Sequence, residues 1–221
     1  ELLTKKMNYG WIEGSPEFKE EVSKIYRNVK PEQILQTNGC TGANLLVMLS
    51  LIEQNDHVIS MYPIYQQLCD LPKGLGAEVE KWHIKEENNW LPDLDELRKM
   101  VRPNTKMICI NNAHNPTGAV MDEAYLNELV EIARSCGAYI LSDEVYKPME
   151  ETYVPAIADI YEKGISTNSV SKTYSVPGVR VGWVASNLEV IDILKQAKED
   201  SNNILKNKCP MLPCINIYVI N

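Results

Sequence analysis

Lys106-Met107-Ile108-Cys109-Ile110-Asn111 and Ala138-Tyr139-Ile140-Leu141-Ser142 are two short, almost unbroken apolar runs, and the segment between them carries helix punctuation. Asp122 stands where a helix wants its N-cap and Gly137 where one closes. A strand that lacks polar alternation is buried on both faces, the habit of parallel strands joined by crossover helices. The same rhythm extends outward. Toward the N-terminus, Ser15-Pro16 reads as N-cap and first helical residue, with Phe18, Val22, Ile25, Tyr26 and Val29 on one helix face. A short strand, Ile34-Leu35-Gln36-Thr37, is followed by the turn Asn38-Gly39-Cys40-Thr41-Gly42 and an apolar helix over 43–53. Then come a strand His57-Val58-Ile59-Ser60-Met61, a short helix over 65–73, an extended run over 77–84, and a helix opened by the acidic cap Asp93-Leu94-Asp95-Glu96. Toward the C-terminus the pattern predicts a helix near 155–163, strands over 165–169 and 179–186, and a polar helix over 188–207. The expected fold is α/β, a mainly parallel seven-stranded sheet sandwiched by helices. In such sheets ligands sit beyond the carboxyl ends of the strands.

Composition narrows the partners. The 221 residues are 44% hydrophobic and 24% charged, ordinary for a globular chain, with a formal net charge of −8. No basic run tracks a phosphate backbone, so no nucleic-acid partner is expected. No apolar stretch approaches the ~20 residues of a bilayer span, so no membrane partner is expected either. The start Glu1-Leu2-Leu3-Thr4-Lys5-Lys6 lacks a signal-peptide pattern. The cysteines at 40, 69, 109, 136, 209 and 214 form no CxxC pair, and His57, His83 and His114 do not cluster with them. A metal site or a disulfide framework is not expected, and the reading is a reduced, cytoplasmic protein.

Four post-strand segments carry chemistry. Ser169-Val170-Ser171-Lys172-Thr173 places an amine among hydroxyls, with Arg180 eight residues later. A lone lysine is ordinarily a solvated surface charge, whereas an amine near cations can form a Schiff base. Asp143 ends the second apolar run, where it either caps a following helix or pairs with a protonated pyridine nitrogen, and Tyr146 lies three residues on. Asn112-Ala113-His114-Asn115-Pro116-Thr117-Gly118 is turn chemistry whose amide can also donate to a ligand oxygen, and His114 reads as a turn residue. Gly39-Cys40-Thr41-Gly42 either eases close strand–helix packing or cradles a phosphate at a helix N-terminus; it is neither a Walker loop nor GxGxxG.

In this order the four segments resemble class I/II aminotransferases, fold type I pyridoxal-phosphate enzymes of the aspartate aminotransferase kind. The resemblance runs from Asn8 to about Leu194, and its most specific parts are His114–Gly118, Asp143–Tyr146 and Ser169–Lys172 with Arg180. It implies pyridoxal 5'-phosphate as cofactor, with Lys172, Asp143 and Tyr146 as catalytic residues. Lys172 would carry the cofactor and Asp143 would partner its pyridine nitrogen. Tyr146 and Asn115 would bond the phenolic oxygen, and Cys40, Thr41, Ser169 and Arg180 would hold the phosphate. Tyr65 would stack on the ring, and Tyr9 would reach the neighbouring subunit's phosphate in a homodimer, although it also reads as a packing aromatic. The implied reaction moves an amino group from an L-amino acid to a 2-oxo acid.

The chain also departs from the family. Against the family's length, the expectation is that the N-terminal arm and most of the small domain are absent, including the arginine that grips a substrate α-carboxylate. The expected division is a cofactor-binding large domain over 1–187 and an interdomain helix with the start of a small domain over 188–221. The tail Cys209–Asn221 does not look like the family's continuation. Arg27, Arg98, Arg102 and Arg134 read as surface charges rather than substitutes for the missing clamp. Related layouts also catalyse β-elimination, cyclisation or oxidation. The stretches Asn111–His114 and Asp143–Pro148 are similar to an arginine-processing branch that includes capreomycidine synthase-like and arginine oxidase-like enzymes. A non-catalytic cofactor-binding sensor is the remaining alternative, without a visible helix-turn-helix to support it.

Overall fold

A computed structural model describes residues 11–147 and 154–200. Its strands are β1 (Ile34–Asn38), β2 (His57–Tyr62), β3 (Glu78–Lys85), β4 (Leu91–Pro92), β5 (Thr105–Asn111), β6 (Tyr139–Asp143), β7 (Gly164–Ser169) and β8 (Val181–Ala185). They lie in the order β1-β8-β7-β6-β5-β2-β3-β4. The pairs β2·β3, β2·β5, β5·β6 and β6·β7 are parallel, while β8 runs antiparallel to both β7 and β1. The seven expected strands are present, and the eighth is the two-residue β4, paired antiparallel with the outer edge of β3.

Helices α1 (Pro16–Ser23), α2 (Gly39–Leu51), α3 (Gln67–Gly74), α4 (Leu94–Met100), α5 (Glu123–Cys136), α6 (Ile157–Ile160) and α7 (Leu188–Glu199) cover both faces. The continuous apolar strands divide their side chains by alternation. In β5, Met107 and Cys109 pack with α2 and α7 residues, including Val47, Met48, Ile191 and Leu194. Ile108 and Ile110 point the other way, into a layer with Leu126, Leu129 and Ala133 of α5. A charge at Ile108 would lose an aliphatic burial worth about 1.5–3 kcal/mol and leave an unpaired ion in the core.

The caps act as the sequence suggests. Ser15 Oγ accepts from Phe18 N, Asp122 from Tyr125 N, and Asp93 from Asp95 N, while Gly137 closes α5 at φ 72°. Boundaries differ in several places. α1 stops at Ser23; Tyr26 and Val29 still reach the core, but Ile25 is exposed. α2 begins at Gly39 rather than 43, absorbing the small-residue turn into its first turn. The helix near 155–163 is the single turn α6, and a 3-10 turn over Pro177–Val179 shortens the last strand. Residues 144–146 form a turn and not a helix; the Asp143 carboxylate accepts from Val145 N within it (3.2 Å). α7 is described to Glu199, so Tyr9, Cys209, Cys214 and the tail lie outside the described residues.

Candidate active site

Parallel pairing brings the carboxyl ends of β2, β5, β6 and β7 to one edge of the sheet. Because β1 and β7 both run against β8, β1 ends at that edge too, and Arg180 just before β8 joins it. A cavity of about 280 Å³ opens there. Nine of the ten expected site residues line it: Cys40, Thr41, Tyr65, Asn115, Asp143, Tyr146, Ser169, Lys172 and Arg180. Tyr9, the tenth, lies outside the described residues. Asn111, Val145, Ser171 and Pro177 complete the lining.

Asp143 forms the floor. It is buried, and desolvation pushes its carboxyl above the usual range against three opposing contacts: the Asn44 amide, the Val145 N–H and the Cys40 thiol. Asn44 Nδ2 donates to Asp143 Oδ2 at 3.0 Å. A buried carboxylate in this state gains most from a cation or an N–H donor brought to it.

The loop after β5 is held by side chains. Register sets Asn111 directly beside Asp143. Asn111 Nδ2 donates to the Asp143 carbonyl (2.9 Å), and its Oδ1 accepts from Asn115 N (2.8 Å), which fixes where Asn115 starts. His114 Nε2 donates to the Pro63 carbonyl and its Nδ1 accepts from Thr117 Oγ1, both at 2.8 Å. Burial lowers its pKa. Both ring nitrogens are thus engaged, and His114 ties the Asn115 loop to the loop of Tyr65 as a turn residue. Gln67 Nε2 holds the Thr41 carbonyl (2.9 Å).

The opposite end is cationic. Arg180 is exposed at φ 52°, and its Nη1 donates to the Pro177 carbonyl (2.9 Å). Its guanidinium lies on Gly39, where a Cβ would come within 2.5 Å of Nη2. Gly39, at φ 70°, therefore serves a left-handed backbone and a close approach at once. Ser169 Oγ receives Ser171 N (3.3 Å), and the first turn of the 13-residue α2 brings the positive end of its dipole to the same wall. Lys172 lines the same cavity, exposed, with Nζ 5.8 Å from the Tyr146 ring centroid. Lys147 and Lys163 are engaged elsewhere, near Glu144 and on the Gly137 carbonyl.

Sequence reasoning did not single out Asn44, Asn111 or Thr167. A signal existed for Asn44. It is a lone amide in the apolar run Ala43–Leu49, one helical turn beyond Cys40.

One cavity thus gathers an exposed guanidinium, a helix N-terminus, a buried carboxylate and a primary amine, a set that fits a phosphorylated aldehyde. The family model for aminotransferases of class I and II matches residues 4–203, and the chain belongs to that family. The family's cofactor is pyridoxal 5'-phosphate. An aspartate aminotransferase from Pyrococcus horikoshii is 33% identical over 204 residues, covering 86% of this chain and 52% of that protein. A capreomycidine synthase from Streptomyces vinaceus is 28% identical over 168 residues, covering 75% and 43%. The crystal structure of a PLP-dependent aminotransferase from Streptococcus suis superposes with a TM-score of 0.87 at 67% identity, over 90% of this chain and 53% of that one. The chain spans about half the length of these relatives. No helix among the described residues is long and apolar enough to cross a membrane, and no metal-binding cluster occurs among them.

Proposed function

We propose that this chain is the cofactor-binding large domain of a pyridoxal-phosphate-dependent aminotransferase that moves an amino group from an L-amino acid to a 2-oxo acid. One observation carries the reading: Lys172, Asp143 and Arg180 converge on a single cavity with six further expected residues, among them Cys40, Thr41 and Tyr65 from the other half of the sequence. When bound, the cofactor supplies an electron sink for a carbanion at the substrate's Cα.

The chain's own residues do the rest. Asp143 would pair with the cofactor's pyridine nitrogen and favour its protonated form. Lys172 would hold the cofactor aldehyde through its amine, and the same amine, when free, would serve as the proton carrier at the substrate's Cα. Tyr146 and Asn115 would bond the phenolic oxygen and Tyr65 would pack on the ring. Cys40 and Thr41 through the α2 N-terminus, with Ser169 and Arg180, would hold the phosphate.

Arg98, Arg102 and Arg134 are each paired with two carboxylates on the surface, and Arg27 lies 3.9 Å from Glu123. Arg180 is the arginine on the cavity wall among the described residues, so the clamp for the substrate's α-carboxylate comes from outside them. We place the boundary of the large domain near residue 187, with α7 leading away from it. Homodimerisation, with Tyr9 reaching the neighbouring subunit, and a cytoplasmic setting that keeps the thiols of Cys40, Cys69, Cys109 and Cys136 free belong to the same reading.

The test is borohydride reduction of the protein with pyridoxal phosphate, followed by peptide mapping. An adduct on the Lys172 peptide is expected, and an adduct on Lys147 or Lys163 would overturn the assignment. A spectral screen of amino acids then finds the donor. L-Arginine belongs in it, because the similarity to capreomycidine synthase favours an arginine-processing reaction as the second reading.

A further inference from the structure

Among the described residues, Asp143 is held by neutral donors and not by a cation. Its Oδ1 accepts from the Val145 N–H at 3.2 Å and its Oδ2 from the Asn44 amide at 3.0 Å. Asn44 is fully buried, and its own amide is oriented from the far side: Thr167 Oγ1 donates to Asn44 Oδ1 at 2.7 Å. Cys40 Sγ in turn approaches Thr167 Oγ1 at 3.5 Å. The Ser142 carbonyl also lies 3.4 Å from the Thr167 hydroxyl, too far to compete with the 2.7 Å bond for its hydrogen.

The donors behind the carboxylate therefore run one way, hydroxyl to amide oxygen and amide N–H to carboxylate, while the Cys40 thiol faces both the Thr167 hydroxyl and Asp143. Bonds aligned in one direction polarise one another. Strand register builds the row, since β6–β7 pairing sets Thr167 beside Asp143. The amide cannot turn over without placing Oδ1 against the carboxylate and leaving the Thr167 hydroxyl facing an NH2 group. A neutral donor pair has a chemical consequence that a lysine or arginine would not. It fixes and favours the anion without neutralising it, so the full charge stays available for a cationic N–H at the cavity floor.

We infer that Asn44, oriented by Thr167, is a positioning residue that holds Asp143 as an aimed carboxylate for the cofactor's ring nitrogen. The inference rests on the proposed cofactor function and adds two residues to it that touch neither cofactor nor substrate.

The test compares two ligands on the full chain: pyridoxal phosphate, and its 1-deaza analogue, in which carbon replaces the ring nitrogen. Both keep the aldehyde and the phosphate, so packing defects and damage to the phosphate cradle weaken both alike. Asn44→Leu and Thr167→Val are each expected to weaken pyridoxal phosphate about tenfold and the deaza analogue by no more than about twofold, the scale of one lost bond to a charged group. Both should also shift the pH midpoint of the Schiff-base absorbance band. Thr167→Ser, which keeps the hydroxyl, should restore wild-type behaviour in both readouts.

Equal losses for the two ligands, or no loss for either, would overturn the inference. So would a Thr167→Ser protein that behaves like Thr167→Val. If Asn44→Leu fails to fold, as circular dichroism would show, the near-isosteric Thr167→Val and Thr167→Ser pair decides alone. The wild-type protein separates the two levels: a Lys172 adduct with unchanged variants defeats only the Asn44 assignment, whereas no Lys172 adduct defeats the cofactor reading and this inference with it.

Discussion

Gly39→Ala probes the phosphate end by moving one methyl group. Gly39 sits at φ 70°, and the added Cβ would lie 2.5 Å from Arg180 Nη2 and 3.1 Å from Cζ. The left-handed backbone costs an alanine about 1–2 kcal/mol, or roughly 2–8 °C in Tm for a chain of this size. The contact itself is relieved differently. Its partner is the far end of a flexible side chain, so the guanidinium moves and the backbone stays. The displaced Arg180 leaves the cavity wall, which removes charge-assisted bonding of about 1.5–3 kcal/mol, or about 10- to 100-fold in pyridoxal-phosphate affinity. Gly118→Ala is the control. Gly118 has φ 74° and nothing within 4 Å of the new Cβ, so it carries the strain without the collision. Thermal melting and cofactor titration of both variants separate the effects: similar losses of Tm, but a loss of affinity in Gly39→Ala alone. Equal affinities in the two would refute the placement of Arg180 as a phosphate anchor that depends on Gly39.

Gly182→Ala should be far more damaging, because its Cβ would meet backbone at 2.4 Å from Gly39 C and 2.7 Å from Asn168 O; little folded protein is expected, and a soluble variant with near wild-type Tm would contradict the packing. Asp143→Asn should weaken the cofactor at least as much as Asn44→Leu and slow the amino-acid half-reaction of the cofactor-saturated protein at least about 100-fold, while Arg180→Ala should weaken cofactor binding with little effect on the saturated half-reaction; the reverse pattern would make Asp143 a turn residue only. Lys198, largely desolvated with its ammonium on the Ile12 and Gln36 carbonyls (2.7 Å to the latter), is lowered to about 8. Its folded pKa lies below its unfolded one, so it burdens the fold below pH 8 and the burden lifts as pH rises from about 8 toward 10. Wild-type Tm should gain on that of Lys198→Met across this window, and a constant difference would show that Lys198 does not titrate there.

Much of the fold was legible because burial on both faces leaves a local mark. Met107–Ile110 and Tyr139–Leu141 are apolar without alternation, and only a strand sandwiched between helix layers needs that. Caps were equally local: Ser15, Asp93 and Asp122 each bond an amide two or three residues away, so their reading needed nothing beyond the neighbouring sequence. Eight of the nine expected residues that line the cavity came from three motifs and a small-residue turn, all just after strands, and Tyr65 from the resemblance. The boundaries that slipped, at α2, α6 and β8, lie where helix or strand gives way under tertiary contact. α2 begins four residues early because Gly39 takes its left-handed backbone under the Arg180 guanidinium, a contact between residues 141 positions apart.

The sequence by itself determined which side chains could do chemistry, since reactivity belongs to residue type, and which segments are strands, since hydrophobic period is local. Only the tertiary structure decided how those residues are aimed. Strand order and register set Asn111, Asp143 and Thr167 side by side across β5, β6 and β7, although they are separated by loops and helices in the chain. That row engages Asn44, reaching over from α2, and turns a lone amide in an apolar helix into the donor that holds a buried carboxylate. A hydrogen bond depends on distance and angle within fractions of an ångström, and no spacing along a chain encodes that until the sheet has closed.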